Sequence, residues 1–286
     1  MFRFTIRDVL WLNKPAAQSR RWLQISLRGA LTVFTLLGLF FGWYANRAWR
    51  QNLAVVAIRA QGGRVWYSSE ETAENLPPRP PPFLAHYLGL DFVDSAVKVD
   101  FIGQEFDDAD VLLLNDLPRL EQLQLHQTRI TGSTFERVRT LRMVKRLRTN
   151  YTPLTDNAIA HFRNSELDYV MILNSAISNR AMEHLGTCKN LSTLWITNAP
   201  ITDGGMQHVS GLMQLKNVRF NHTQITGKAL LVFADHPNLL ELKLEHNAIT
   251  DEGLTYLGRP PNLRFLKLEG TLSRSAIEVK LGAGIG

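Results

Sequence analysis

From Val99 to Thr271 the chain repeats one phrase eight times: an apolar-x-apolar pair, two spacers, a small polar residue, one spacer, then an apolar residue that Thr usually follows. Leu242-Lys-Leu244-Glu-His-Asn247-Ala-Ile249-Thr250 and Leu123-Gln-Leu125-His-Gln-Thr128-Arg-Ile130-Thr131 are its most regular copies. The small-residue positions are Gln104, Thr128, Thr152, Ser175, Ala199, Thr223, Asn247 and Thr271, and every interval is 24 residues except one of 23. A fixed period of that size leaves few folds open, because one short repeat cannot bury its own apolar row and must stack on its neighbours. The expected product is an α/β solenoid of about eight 24-residue repeats. Such a stack presents a long regular surface and usually no dedicated catalytic cleft, which points to binding.

Within each repeat the period switches. Alternation at Leu123/Leu125, Val170/Ile172 and Leu194/Ile196 predicts short strands with those side chains on one face. The following stretch, as in Asp156-Asn-Ala-Ile159-Ala-His-Phe162, spaces apolar residues by three after a Thr or Asp able to cap a helix. Strands then line the concave side and helical turns the convex side. The one short interval falls between Phe162 and Leu167, in a convex-side loop. Cys188 takes a position filled by Leu117, Leu141 and Leu212 in other copies, so it reads as a core residue.

Charge is unevenly placed. The formal net charge is +6, yet Arg3, Arg7, Lys14, Arg20, Arg21, Arg28, Arg47 and Arg50 stand against Asp8 alone in residues 1–51, leaving residues 52–286 at −1. A nearly neutral repeat region carries no electrostatic footprint for phosphates, and no nucleic-acid partner is expected. Gly29 to Asn46 is uncharged and closes on Trp43 and Tyr44. Its 18 residues span about 27 Å as a helix, enough for a thin or adapted bilayer core, with the aromatics at its interface. Ala45-Asn46-Arg47-Ala48 offers no convincing cleavage site, so the span reads as a retained anchor rather than a signal peptide. Four basic residues precede the span closely and three or four follow it, with Arg3 and Arg7 favouring a cytoplasmic N-terminus and a repeat domain on the non-cytoplasmic side.

The expected organisation is a basic N-terminal tail (1–28), a transmembrane helix (29–46), a juxtamembrane helix-strand cap with a Pro-rich connector (47–95), and the repeat domain (96–286). Met1 to Leu12 fits either a surface-lying helix or a disordered tail. Leu53–Ala60 is predicted helical, ending at Gly62-Gly63, and Arg64–Tyr67 a strand. Pro77-Pro-Arg-Pro-Pro-Pro82 reads as a stiff spacer, with recruitment of an SH3-like partner the lesser reading.

The phrase L-x-x-L-x-L-x-x-T-x-I-T-D-x-x-L resembles leucine-rich repeats, and its Thr-Asp-x-x-Leu ending looks like the subclass seen in F-box-associated and many bacterial repeat proteins. The N-terminal Arg-Phe-Thr-Ile-Arg-Asp, the single span and Ala-x-x-Ala-Ile-x-x-x-Gly-Gly-x-Val before the repeats are similar to bacterial membrane-anchored leucine-rich-repeat proteins. The resemblance implies a horseshoe and a generic binding role, and supplies neither ligand nor catalytic residues. Gln104 and Phe106 in the first copy and Ser273 in the last depart from the pattern, as terminal repeats do.

Chemical motifs are otherwise absent. His161, His184 and His208 recur nine residues after their reference positions, so repetition explains them without a metal. Asp107, Asp108 and Asp110 stand where later copies start helices, which favours capping over calcium. The closing Gly282-Ala-Gly284-Ile-Gly286 has no helix after it to hold a dinucleotide and reads as a tail. No nucleophile motif or cofactor motif is present, and the chain is not expected to be an enzyme or to need a cofactor.

Residues flanking the buried strand pair face away from the core. Most are polar, as expected of a solvated face, but Tyr169, Met171, Leu173 and Trp195 form an apolar patch with Arg146 and Arg148 on one side and Arg219 on the other. Trp, Tyr and Arg carry much interface energy, so these seven are the candidate partner-binding residues. Glu241, Glu245 and Glu269 are expected to make the far end negative. The function that follows is a non-catalytic, membrane-anchored scaffold binding a protein or peptide through the concave face. The alternative is an envelope structural protein recognising polysaccharide.

Overall fold

The computed structural model describes residues 27–70, 86, 88–258, 260–271 and 279–280. The N-terminal tail up to residue 26, the Pro-rich run and the closing glycines lie outside the described residues. The chain divides into two units, Met1–Arg50 and Gln51–Gly286.

Helix α1 (Leu27–Ala60) runs through the expected span without a break. The sequence predicts a span separate from a helix at Leu53–Ala60, but residues 45–52 hold neither Gly nor Pro, so nothing interrupts the hydrogen-bond ladder. In the first unit the apolar side chains are exposed around the helix, Phe34 at 72% and Leu39 at 66%. The Arg47 guanidinium carbon lies 5.8 Å from the Trp43 ring centroid. Among the described residues this is the one helix long and apolar enough to cross a membrane, by length and composition.

The second unit is a single ten-stranded sheet in sequence order. Strand β1 (Arg64–Tyr67) pairs antiparallel with β2 (Ala96–Ile102). Parallel strands follow in β3 (Gln122–His126), β4 (Arg146–Asn150), β5 (Tyr169–Leu173), β6 (Thr193–Thr197), β7 (Asn217–Asn221), β8 (Glu241–Lys243) and β9 (Phe265–Lys267). Val279–Lys280 closes the sheet antiparallel as β10. The register advances by one repeat at each step, Leu123 opposite Leu147, Val170, Leu194, Val218 and Leu242 in turn. All of these are buried, with the helical-turn residues Ile159, Phe162, Met182 and Leu185 behind them. Each such side chain contributes about 1.5–3 kcal/mol by leaving water, so the core is a row shared by neighbouring repeats. The 23-residue interval is absorbed between Phe162 and Leu167, where Asn164 takes φ of 54°, and β5 keeps register with β4.

Gln51–Ala60 of α1 belongs to this unit and buries Ala54, Val55 and Ile58 at the start of the core. Gly63 is required there, since a Cβ would sit 2.6 Å from Ile58 Cγ2. A polar cluster fixes the cap. Gln51 Nε2 donates to Asp91 at 3.0 Å, Asn52 Nδ2 to Asp91 at 2.7 Å and the Tyr67 hydroxyl to Asp91 at 2.9 Å. Burial beside the Asp91 carboxylate pushes the Tyr67 hydroxyl well above the usual tyrosine range, so it stays a donor.

Two polar columns tie repeat to repeat. At the small-residue position, Thr152 Oγ1 donates to Leu125 O at 3.1 Å, Ser175 Oγ to Thr152 O at 2.7 Å and Asn247 Nδ2 to Phe220 O at 2.6 Å. These bond carbonyls at the strand ends and in the turns after them, where an unpaired acceptor would be costly. The Thr-Asp signature does more than the within-repeat capping expected. Thr155 and Thr250 cap α3 (Asp156–Ala160) and α6 (Asp251–Leu254), while the Asp reaches forward into the next repeat. Here α2 is Leu90–Val93, α4 Asn179–Leu185 and α5 Asp203–Met206. Asp156 accepts from Ser178 N at 2.7 Å and Ser178 Oγ at 2.6 Å, and Asp203 accepts from Thr226 N at 2.7 Å and Thr226 Oγ1 at 2.6 Å. Asp108 does the same for Gly132 N at 2.8 Å and Ser133 Oγ at 2.8 Å. Asp107 and Asp110 accept from Ala109 N and Asp107 N, and Asp110 also from Gln61 Nε2 at 3.0 Å, so the acidic cluster is committed to its own turn, the next repeat and the cap.

Candidate functional site

The face of the sheet turned away from the core carries three in-register rows. The middle row reads Asp100, Gln124, Arg148, Met171, Trp195, Arg219, Lys243 and Lys267. The first places Arg146 beside Tyr169, then Thr193 and Asn217, and the third places Leu173 between Asn150 and Thr197. With strands about 4.8 Å apart, a long side chain leans over its neighbour's position. Hence the expected solvated face holds only in part: Asp100, Gln124, Thr193 and Asn221 are buried beneath longer neighbours.

The candidate residues come together as a stack. Tyr169 and Trp195 have ring centroids 5.8 Å apart at 59°. The Arg148 guanidinium carbon lies 4.7 Å from the Tyr169 centroid, and that of Arg219 lies 4.5 Å from the Trp195 centroid. Alternation on β4 to β7 puts all four on one face, and the parallel register brings them to adjacent strands. The sulfur of Met171 lies 4.0 Å from the Tyr169 hydroxyl. Two candidates stand apart from the stack. Arg146 turns to Asp168, Nε to Oδ1 at 3.8 Å, and Leu173 occupies the outer row. Burial pushes the Asp168 carboxyl up, against the pull of Arg146 and Lys145. The patch is therefore half-buried, its rings already roofed in part by guanidinium, rather than an open apolar surface.

The negative charge expected at the far end is largely paired. Lys243 pairs with Glu241, and Lys267 pairs with Glu245 and with Glu269, the last at 3.1 Å. Burial acts to raise the Glu245 carboxyl, but hydrogen bonds from Lys267 and Asn221 outweigh it and hold the group below the usual carboxylate range. Lys243 and Lys267 thus offset two of the three carboxylates at this end.

Sequence reading missed two features. The first is Asp100, buried under Arg64 at 3.7 Å and His126 Nε2 at 3.7 Å, with Lys98 laid 4.2 Å from the Trp66 centroid. Burial raises its carboxyl against the opposing pull of His126, Arg64 and Lys98. The strand β1 that supplies Arg64 and Trp66 lies outside the repeat pattern. The second is a column immediately before each small residue, where Gly103, Gln127, Tyr151, Asn174, Asn198, His222, His246 and Gly270 all have positive φ. The recurrence of Gly, Asn and His there was the available signal. Within it the His222 and His246 rings stack 4.2 Å apart at 16°.

His184 is buried on the helical side and His208 is exposed. Among the described residues no group of three or more His, Cys, Asp or Glu is placed to hold a metal. The Cys188 thiol is buried in the core, where burial pushes its ionisation up.

Residues 235–258 match the family model described as Leucine Rich repeat. No curated protein matches the chain. Among solved structures, internalin C2 of Listeria monocytogenes aligns at 20% identity over 69% of this chain and 80% of that one, with a TM-score of 0.49. Internalin InlF of the same organism aligns at 19% identity over 60% of this chain and 54% of that one, TM-score 0.45. PEPR1 in its complex with AtPEP1 aligns at 14% identity over 78% of this chain and 32% of that one, TM-score 0.45. The one-strand-per-repeat register and the matched repeat together identify residues 96–271 as a leucine-rich-repeat solenoid.

Proposed function

We propose that the chain is a non-catalytic, membrane-anchored scaffold that binds a protein or peptide through the open face of its sheet at Tyr169, Met171, Leu173 and Trp195, with Arg146, Arg148 and Arg219 around them. One observation carries this reading: the only aromatic pair on that face among the described residues is half-buried and flanked by stacked guanidiniums. Rigid aromatic and Arg side chains bind with little entropy loss.

The exposed apolar helix within Gly29–Ala60 supports the anchor, because such a surface is costly in water. The distribution of Arg and Lys favours the non-cytoplasmic side for the repeats. Crosslinking in intact cells tests the site. Trp195→Ala, with Tyr169→Ala as a second probe, is expected to reduce recovery of a partner while the protein remains folded and membrane-bound. Unchanged recovery removes the site assignment. Protease accessibility of the repeats in intact cells and spheroplasts tests the topology, and protection in spheroplasts contradicts it.

A further inference from the structure

Cations on the open face divide by what they touch. Arg64 pairs with Asp100, Arg146 with Asp168, Lys243 with Glu241 and Lys267 with Glu245 and Glu269. Among the described residues, Arg148 and Arg219 have no carboxylate within 4.0 Å and make no hydrogen bond. Arg219 Nε is buried without a partner. Lys98 also lacks an ion pair within that distance, but it sits on Trp66 beside Asp100, whose carboxyl feels its charge. Arg219 feels Glu245 at longer range, and that carboxylate is already taken by Lys267 and Asn221. On the open face, among the described residues, only Arg148 and Arg219 set guanidinium forks on aromatic faces with their donors unspent. A half-buried, unpaired guanidinium with its orientation fixed is a costly arrangement unless an anion completes it.

The spacing defines the anion carrier. The distances from Arg148 to Tyr169, Tyr169 to Trp195 and Trp195 to Arg219, taken end to end, limit the two guanidinium carbons to about 15 Å apart. Three inter-strand steps from β4 to β7 give about 14 Å. An extended peptide rises about 3.4 Å per residue and points alternate side chains to one face, so residues i and i+4 stand about 14 Å apart on the same face. Residue i+2 then faces the rings between them.

We propose, resting on the protein-binding reading above, that this site takes an extended acidic segment of a partner protein laid across β4 to β7. Carboxylates at i and i+4 seat on Arg148 and Arg219, and an apolar side chain at i+2 packs on Tyr169, Met171 and Trp195. The partner motif is acidic-x-apolar-x-acidic, and charge complementarity to two unpaired forks selects it over a neutral strand.

The probe is a displayed library of random linear peptides selected on the full-length chain in detergent micelles, with parallel selection on Trp195→Ala. Enriched peptides are expected to carry Asp or Glu four apart with an apolar residue between. Synthesised members are expected to bind about tenfold more weakly to Arg148→Gln and to Arg219→Gln, and more weakly at high salt. Both Gln variants leave the rings and the buried core in place, and matched thermal melts check that they fold. Enrichment that depends on Trp195 but shows no acidic pair, or unchanged affinity in both Gln variants, overturns the acidic motif and leaves the sheet-face reading standing. No enrichment above the Trp195→Ala control overturns both.

Discussion

Arg219 lays its guanidinium carbon 4.5 Å from the centroid of Trp195, its register partner on the neighbouring strand. The stack exists only because consecutive repeats bring residues 24 apart into lateral contact. Its stability cost on removal is modest, since Trp195 is half-buried. Trp195→Ala is expected to cost about 1–2 kcal/mol, from lost ring burial and the cation–π contact, and to leave a cooperative unfolding transition. Urea unfolding of the full chain checks this, and loss of cooperative unfolding would show that the ring is structural.

The forward reach of Asp203 onto Thr226 makes the Thr-Asp signature a joint between repeats. Asp203→Ala leaves the Thr226 N–H without its acceptor and is expected to cost about 1–3 kcal/mol. Asp203→Asn is expected to recover most of that, because Asn179 holds the same position and accepts from Thr202 N at 2.9 Å. Equal losses in the two variants would contradict the joint.

Tyr151 occupies the positive-φ column with φ of 50° and is exposed, so it bears the backbone cost without compensating burial. Tyr151→Asn, the residue found at 174 and 198 in the same column, is expected to raise stability by about 0.5–1 kcal/mol. A drop in denaturation midpoint would mean that the ring packs on something in solution.

His184 and His236 are buried, and burial lowers both imidazoles below the ordinary histidine range near 6.5. Among the described residues, both nitrogens of His184 and Nε2 of His236 lack partners. The unfolded chain therefore binds protons first, and stability present above about pH 6.5 is lost as pH falls through that value toward the depressed folded pKa values. His236→Leu, the residue at 117, 141 and 212 in the same slot, is expected to flatten this loss in part. Unfolding midpoints measured between neutral and mildly acidic pH check the slope, and an unchanged slope in the variant would contradict the assignment.

The parts legible from sequence were those written along one repeat. Leu123/Leu125 and their equivalents announce the strands, and the 24-residue interval fixes which residues share a row, which is why Tyr169, Trp195, Arg148 and Arg219 could be grouped beforehand. What lies between repeats was not legible. The pairing of Lys243 with Glu241 and Lys267 with Glu245, the stacking that hides part of the aromatic patch, and the forward acceptor role of Asp156 and Asp203 depend on rotamers across a strand gap, which leave no periodic trace. The positive-φ column was missed for a different reason: its residues vary from Gly to Tyr, because backbone geometry there is imposed by the stack and tolerates several side chains.

The central claim is that the open sheet face, and not the helical side, meets the partner. A photo-crosslinking amino acid placed at Leu173, beside the stack but outside its Arg and ring contacts, is compared in intact cells with one placed at the exposed Arg180 on α4. Adducts to a partner from position 173, with none from position 180, are the expected result. Adducts from position 180 alone would contradict the account.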